Sequence, residues 1–333
     1  MTAMSFVANG PLRTPVLFIA FNRYDSARQV MEAIREAKPP RLYFACDGAR
    51  NEAEKARCEK VRSLVELVDW DCELFTKFSD VNLGVMMGES TAMDWFWEHE
   101  EEGIVLEDDT FPSQSFFWYC EALLERYRND ERVWCIMGNN LMTEWEVKGS
   151  DSYYYSAHGY GAYWGWAGWR RVWNKYDVHM KAWPAIRDSG LLAGQFLSKA
   201  EMKEAYKLFQ AQYEGAIRSW DYQMDLGRIL NRGVTCIPNT NMIRNIGFGA
   251  EGTHTVSEND RRNKDELYET SFPLVHPMHM MVDAERDMAY FERYIEPTSF
   301  RKFKNVIKHL LPASVDEAVT PFFSKLQKHL GIN

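Results

Sequence analysis

Between residues 15 and 109, four short apolar runs alternate with longer segments whose apolar residues recur at helical spacing. The runs are "PVLFIAF" (15–21), "RLYFACDG" (41–48), "DCELFTKF" (71–78) and "GIVLEDD" (103–109). Between the first two, Val30, Met31, Ile34 and Ala37 fit one helix face, with Asp25 or Ser26 as its cap and prolines at 39–40 as its stop. A charged helix over 52–67 is predicted to turn Ala53, Ala56, Val61, Leu64 and Val65 inward, and a third helix covers 86–100. Strands that alternate with helices build βαβ units and a parallel sheet. Ligands of such sheets bind at the carboxyl ends of the strands. "FNR" (21–23), "CDG" (46–48) and "EDD" (107–109) all lie at strand ends, so the fold brings them together.

Further along, 113–128 is predicted as a helix and 132–137 as a strand. Residues 153–173, "YYYSAHGYGAYWGWAGWRRVW", are too aromatic to stay solvated. Helices near 199–214 and 219–231 precede a short strand, "VTCIP" (234–238), and a glycine-rich loop, "NIGFGAEGTHT" (245–255).

The chain of 333 residues carries a net charge of −9, which argues against a general nucleic-acid binder. Its six cysteines form no CxxC pair, so they are expected as reduced core residues of a cytosolic protein. No signal peptide is predicted at the N-terminus, and no apolar run is long enough to span a bilayer. No GxxxxGK[ST] motif is present, which disfavours a P-loop ATPase.

Glu107, Asp108 and Asp109 follow directly on an apolar strand. One of the aspartates serving as the cap of a helix near Pro112 would explain one carboxylate, not three. Neighbouring carboxylates repel unless a cation is present. Mg²⁺ and Mn²⁺ are commonly held by one or two carboxylates together with substrate phosphate oxygens. The triplet therefore suits a metal–diphosphate.

"VLFIAFNR", "FACDG", "VLEDD", "GYGAYWGWAGW", "SWDYQM" and "NIGFGAEGTHT" occur in that order over roughly residues 14–256. This ordered set resembles the GT-A glycosyltransferases. Among them it looks like the inverting N-acetylglucosaminyltransferase that initiates complex N-glycans, and its bacterial surface-polysaccharide relatives. The resemblance implies a Rossmann-like α/β fold with a mostly parallel central sheet flanked by helices. Residues 14–110 would form the nucleotide-binding half and 111–256 the donor-sugar and acceptor half of one catalytic domain, with a linking segment over 257–297.

By the same resemblance, Asp109 is the direct metal ligand, while Glu107 and Asp108 face the ribose and the donor sugar. Asp47 would contact the base, or be an ordinary turn aspartate before Gly48. Arg23 would contact the nucleotide, or be a solvated loop charge. Asn82 and Gly84 would line the nucleotide side. Asp221 would be the base that takes the acceptor hydroxyl's proton, with Trp220 as an apolar wall beside it. In the competing reading, Ser219 or Asp221 caps the helix that follows. Where the family often has a second acid after this aspartate, the chain has Tyr222. Trp164, Trp166 and Trp169 would stack on sugar faces or belong to the core, with Trp169 and Trp173 assigned to packing by their helical spacing. Gly159, Gly161 and Gly165 would let the backbone approach the donor. The loop at 245–255 would be a lid that excludes water, with His254 within reach of the metal or diphosphate.

From 298 to 333 there are six Lys/Arg against two acids, and Phe300, Phe303, Val306, Ile307, Leu310 and Leu311 recur at helical spacing. Such a basic amphipathic tail lies on an anionic membrane surface or docks on the domain. The sequence thus predicts an inverting glycosyltransferase of the cytoplasm, peripheral at the membrane. It would use Mn²⁺ or Mg²⁺ and a nucleotide-diphosphate sugar, UDP-linked, to extend a glycan or lipid-linked glycan. Two rivals remain: a sugar nucleotidyltransferase, for which "FNRYDSARQ" lacks the expected glycine- and basic-rich loop, and a catalytically silent glycan-binding protein.

Overall fold

A computed structural model describes residues 6–147, 149–159, 163–248, 262 and 266–296. The alternating half comprises β1 (Val16–Ala20), α1 (Tyr24–Ala37), β2 (Arg41–Cys46), α2 (Glu52–Arg62), β3 (Glu73–Phe78), α3 (Gly84–His99) and β4 (Glu102–Glu107). Next come β5 (Thr110–Pro112), α4 (Gln114–Tyr127), β6 (Val133–Met137), β7 (Tyr153–Ser156), β8 (Trp166–Trp169) and α5 (Arg170–Trp173). Then follow α6 (Trp183–Ser189), α7 (Lys199–Tyr213), α8 (Asp221–Leu230), β9 (Val234–Pro238), β10 (Ile243–Asn245) and α9 (Ala284–Tyr290).

Eight strands form one sheet in the order β3-β2-β1-β4-β8-β6-β9-β7. The first four are parallel neighbours. β8 then runs antiparallel to both β4 and β6, and β7 runs antiparallel to β9. The sheet is therefore mixed, where the sequence predicts a mostly parallel one. The aromatic segment is the cause, because it supplies both reversed strands. All four residues of β8, "WAGW", are buried, so no in–out alternation marks it as a strand.

Local chemistry explains where elements begin and end. α1 buries Val30, Met31, Ile34 and Ala37 as predicted, and Lys38 closes it in the left-handed region. Neither Asp25 nor Ser26 caps it, because Arg23 occupies the N-cap position. Asn51 caps α2 by accepting from the Glu54 amide, and this phase turns Glu54, Cys58 and Val61 inward. Ala53 and Ala56 consequently face solvent, contrary to expectation. α4 starts at Gln114 with Ser113 at its N-cap, so neither Asp108 nor Asp109 caps a helix.

The core runs along the sheet. All five residues of β1 are buried, and the Phe18 and Phe44 rings meet at 5.0 Å. Each such ring contributes about 1.5–3 kcal/mol of burial. A second, two-stranded sheet pairs β5 with β10, setting Asn245 opposite Thr110. This pairing brings residues 246–248 back over the acidic triplet. Near α9, the Asp283 amide donates to the Tyr155 carbonyl at 3.0 Å, which ties this segment to β7. Among the described residues, no helix is long and apolar enough to cross a membrane. The predicted tail lies outside the described residues.

Candidate active site

A cleft of about 490 Å³ opens at the carboxyl ends of β1, β2 and β4. Arg23, Asp47, Asn82, Glu107 and Asp108, expected from scattered positions in sequence, all border it.

Arg23 holds the triplet in shape. Its guanidinium pairs with Asp108, and its Nη1 lies 2.8 Å from Asp109 Oδ2. Asp108 Oδ2 also accepts from the Phe21 amide at 3.1 Å, which locks the ends of β1 and β4 together. Burial alone would push the Arg23 guanidinium down, but the charges of Asp108 and Asp109 outweigh it and hold it up. Arg23 is thus a clamp for two aspartates before it is a contact for any ligand.

The negative charge is not fully compensated. Glu107 makes no side-chain hydrogen bond or ion pair among the described residues. Burial, then Asp109 and Asp108, push its carboxyl well above the usual range. Asp108 is raised too, by burial first and by Asp109, against the opposing pull of Arg23. Asp109 is only 6% exposed, and its Oδ1 has no hydrogen-bond partner among the described residues. An orphaned buried carboxylate oxygen is costly unless a ligand satisfies it. No three His, Cys, Asp or Glu side chains among the described residues form a closed metal cage. A Mg²⁺-type site needs only one or two carboxylates when a diphosphate supplies other oxygens. Asp109 fits that requirement.

The chain after β10 presses on this pair. The Ile246 amide donates to the Asp109 carbonyl at 2.8 Å. A Cβ at Gly247 would lie 2.2 Å from Asp109 Oδ2 and 2.7 Å from Arg23 Nη1, so only glycine fits. Phe248 then meets the half-buried Trp164 ring at 5.7 Å. His254 and the rest of the expected lid lie outside the described residues.

Asp47 and Asn82 prove to be a structural tie. Asp47 accepts from the backbone amides of Gly48, Leu83 and Gly84 and from Asn82 Nδ2, at 2.8–3.1 Å. Asn82 Nδ2 donates in addition to the Gly48 carbonyl at 2.8 Å. Together they fix the entry to α3, and the turn reading of Asp47 accounts for these bonds.

Asp221 is the first residue of α8, and no side chain caps that helix. Its Oδ1 accepts from the neighbouring Tyr222 amide at 3.0 Å. Trp166, expected on a sugar face or in the core, and Trp220, expected as an apolar wall beside Asp221, are both core: they are 2% and 3% exposed, and their rings stack at 5.6 Å. Neither borders the cleft. Trp169 and Trp173 are buried, but they lie on β8 and α5 rather than on one helix face. Gly159 and Gly165 face Arg228 and Ile243 across contacts a Cβ would overlap, so they serve internal packing. Gly161 lies outside the described residues.

Sequence reasoning passed over several cleft residues. Arg50, Arg57 and Lys77 line it; Arg50 pairs with Glu54, and Lys77 Nζ donates to the Thr91 carbonyl at 2.9 Å. Glu89, on α3, lines it as well. Burial, then Glu107, Asp221, Asp109 and Asp108, push the Glu89 carboxyl well up. The signal was a lone acid in an otherwise small and apolar stretch, "GVMMGESTAM". Away from the cleft lining, the Tyr176 hydroxyl has no hydrogen-bond partner among the described residues, and burial, then the charges of Asp221, Asp94 and Glu89, push its phenol up.

No family model and no curated protein matches the chain. Solved structures similar to it include two glycosyltransferases and a nucleotide-sugar pyrophosphorylase. Mannosyltransferase PcManGT from Pyrobaculum calidifontis, in complex with GDP-Man and Mn²⁺, is 14% identical, with a TM-score of 0.36. That match covers 52% of this chain and 50% of the mannosyltransferase, so the chain spans about half its length. Apo UDP-glucose pyrophosphorylase is 8% identical, with a TM-score of 0.34, over 70% of this chain and 93% of its own. The WbbM bifunctional glycosyltransferase is 10% identical, with a TM-score of 0.31, over 68% and 38%. At these values the likeness says nothing of what this chain acts on.

Proposed function

We propose that the chain is an inverting, metal-dependent glycosyltransferase. Its donor is a nucleotide-diphosphate sugar, UDP-linked, carrying a hexose or N-acetylhexosamine. Its acceptor is a hydroxyl of a glycan or lipid-linked glycan in surface-polysaccharide synthesis at the cytoplasmic face of a membrane. One observation carries this reading: the buried Asp109 Oδ1, without a partner among the described residues, beside the Arg23 clamp at the carboxyl end of a parallel strand.

Asp109 would hold Mg²⁺ or Mn²⁺, which supplies positive charge against the leaving diphosphate. The protein's own groups do the rest. Arg50, Arg57 and Lys77 draw the anionic donor into the cleft. Asp221 takes the proton from the acceptor hydroxyl as its oxygen bonds to the anomeric carbon and the bond to the diphosphate breaks. The segment at 246–248 closes one side of the triplet.

Calorimetry of the protein with UDP, GDP and their sugar conjugates, with and without Mn²⁺, tests the reading. Metal-dependent binding of a sugar nucleotide, followed by its slow hydrolysis, is the expected result. A silent glycan-binding protein would instead bind glycan without metal. A nucleotidyltransferase would release pyrophosphate from a nucleoside triphosphate and a sugar phosphate.

A further inference from the structure

Arg23 belongs at once to the cleft and to the carboxylate next to it. Its side chain keeps 20% of its surface exposed and borders the cleft, as Asp108 does. Asp109 does not border it. The guanidinium joins the two acids: Nη2 pairs with Asp108 Oδ1, and Nη1 lies 2.8 Å from Asp109 Oδ2. Backbone crowds the same oxygen of Asp109. The Ile246 amide donates to the Asp109 carbonyl at 2.8 Å, and a Cβ on Gly247 would fall 2.2 Å from Oδ2. Asp109 Oδ1 is the oxygen left without a partner among the described residues. Any cation that Asp109 accepts must therefore share a carboxylate that already carries a guanidinium.

Two positive charges on one carboxylate repel, and the repulsion is strongest where water is scarce. An anion in the cleft offsets it. Arginine carries five N–H donors, so a diphosphate in the cleft can take those that the aspartates leave. Given the glycosyltransferase reading, on which this step rests, we infer that Arg23 is a positioning residue that makes metal binding at Asp109 conditional on the donor's diphosphate. With the cleft empty, the guanidinium is the resident counter-ion of Asp109 and keeps a divalent cation off Oδ1. With an anionic donor in the cleft, its charge is offset and Asp109 is free to take the metal. Glutamine at this position removes the charge, whereas lysine keeps it and loses the two-pronged grip. The two substitutions therefore separate charge from shape.

The test uses the full chain and follows Mn²⁺ by electron paramagnetic resonance, without nucleotide and with saturating UDP, against a protein-free control for Mn²⁺ held by UDP alone. Wild type is expected to bind Mn²⁺ at least about 10-fold more tightly with UDP than without it. Arg23→Gln should bind Mn²⁺ alone about 10- to 100-fold more tightly than wild type does, and UDP should then add correspondingly less. Arg23→Lys should resemble wild type toward Mn²⁺ alone. A clamp with a purely structural role predicts the reverse, because loosening Asp109 weakens Mn²⁺ binding in both variants. Circular dichroism and melting temperature report separately on folding. Equal or weaker binding of Mn²⁺ alone by Arg23→Gln overturns the inference while the metal assignment of Asp109 stands. Tight binding by both variants overturns it as well, because shape and not charge then excludes the cation. Should Arg23→Gln fail to fold, the two wild-type titrations decide: a rise with UDP supports the inference, and equal affinity overturns it. No Mn²⁺ binding by wild type even with UDP overturns the metal-dependent glycosyltransferase reading and this inference with it.

Discussion

The two halves of the sheet treat buried charge in opposite ways. On the β3-β2-β1-β4 side, Asp108 and Asp109 pair with Arg23, while Glu89 and Glu107 border the same cleft and have no side-chain partner among the described residues. On the β8-β6-β9-β7 side, charges are just as deep, and each of the buried ones makes at least one contact to another element. His158 Nδ1 lies 2.7 Å from Glu201 Oε1, Arg228 donates to the Ala157 and His158 carbonyls, and Asp287 accepts from the Ala157 amide. Both halves meet the cost of burying ions. Each half also leaves buried polar atoms without a partner among the described residues, Asp109 Oδ1 in the first and Asp287 Oδ1 and Arg286 Nη2 in the second. Only in the first do unpartnered carboxylates, Glu89 and Glu107, border the cleft, where a ligand can supply the missing groups. The first half is therefore built for binding, and the second is the frame that holds it.

The most direct way to break this contrast is Asp109→Ala. It should abolish Mn²⁺-dependent nucleotide binding while circular dichroism stays native, because the side chain contributes to the site and not to the core. Unchanged affinity in Mn²⁺ would remove the metal assignment. Next is Asp221→Asn, a near-isosteric change that cannot take a proton. Turnover should fall about 10²–10⁴-fold with donor affinity unchanged. Normal turnover would return Asp221 to a structural role.

The frame should answer differently. Glu201 is 2% exposed, holds His158, and accepts from the Leu197 amide at 2.6 Å. Glu201→Ala leaves His158 and that amide without this partner and should cost about 3 kcal/mol of stability. Nucleotide affinity, measured below the melting transition, should stay at the wild-type value. A loss of affinity as large as the loss of stability would mean that the two halves are not separate in function.

How much of this was legible in the sequence follows the same division. The first half announces itself through alternation: its four strands lie where the apolar runs are, and the triplet sits at a strand end as expected. The clamp did not show, because pairing of Arg23 with Asp108 joins residues 85 positions apart. Glu89 was hidden for the same reason, since a single acid on a helix gives no hint of which cavity it faces. In the second half, "WAGW" has no period to betray a strand, and tryptophans that suggest sugar stacking turn out to fill the core. Trp166 and Trp220 are aromatic enough to bind a sugar, and burial alone decides that they do not. Composition names what a side chain can do, and only packing decides which of those things it does.

The smallest effect lies where the halves meet. Asp225 stands one turn after Asp221 on α8, accepts from the Tyr163 hydroxyl at 3.1 Å, and lies 3.6 Å from Arg228. Burial pushes its carboxyl up to about 6, against the pull of Arg228 and with a push from Asp221. A folded-state value above the unfolded one means that the native protein binds the extra proton. Stability therefore falls as pH rises from about 4 to 6, and the penalty is constant above that window. Asp225→Asn removes the titrating group, and its amide oxygen can still accept from Tyr163. The stability of the variant relative to wild type should thus climb between pH 4 and 6 and then level off. The side chain is 31% exposed, so solvent screening reduces the gain to about 1 kcal/mol. Denaturant midpoints taken across that range measure it. A flat difference would mean that Arg228 balances Asp225 fully. A climbing difference would mean that pairing with Arg228 and Tyr163 leaves part of the burial cost of Asp225 unmet.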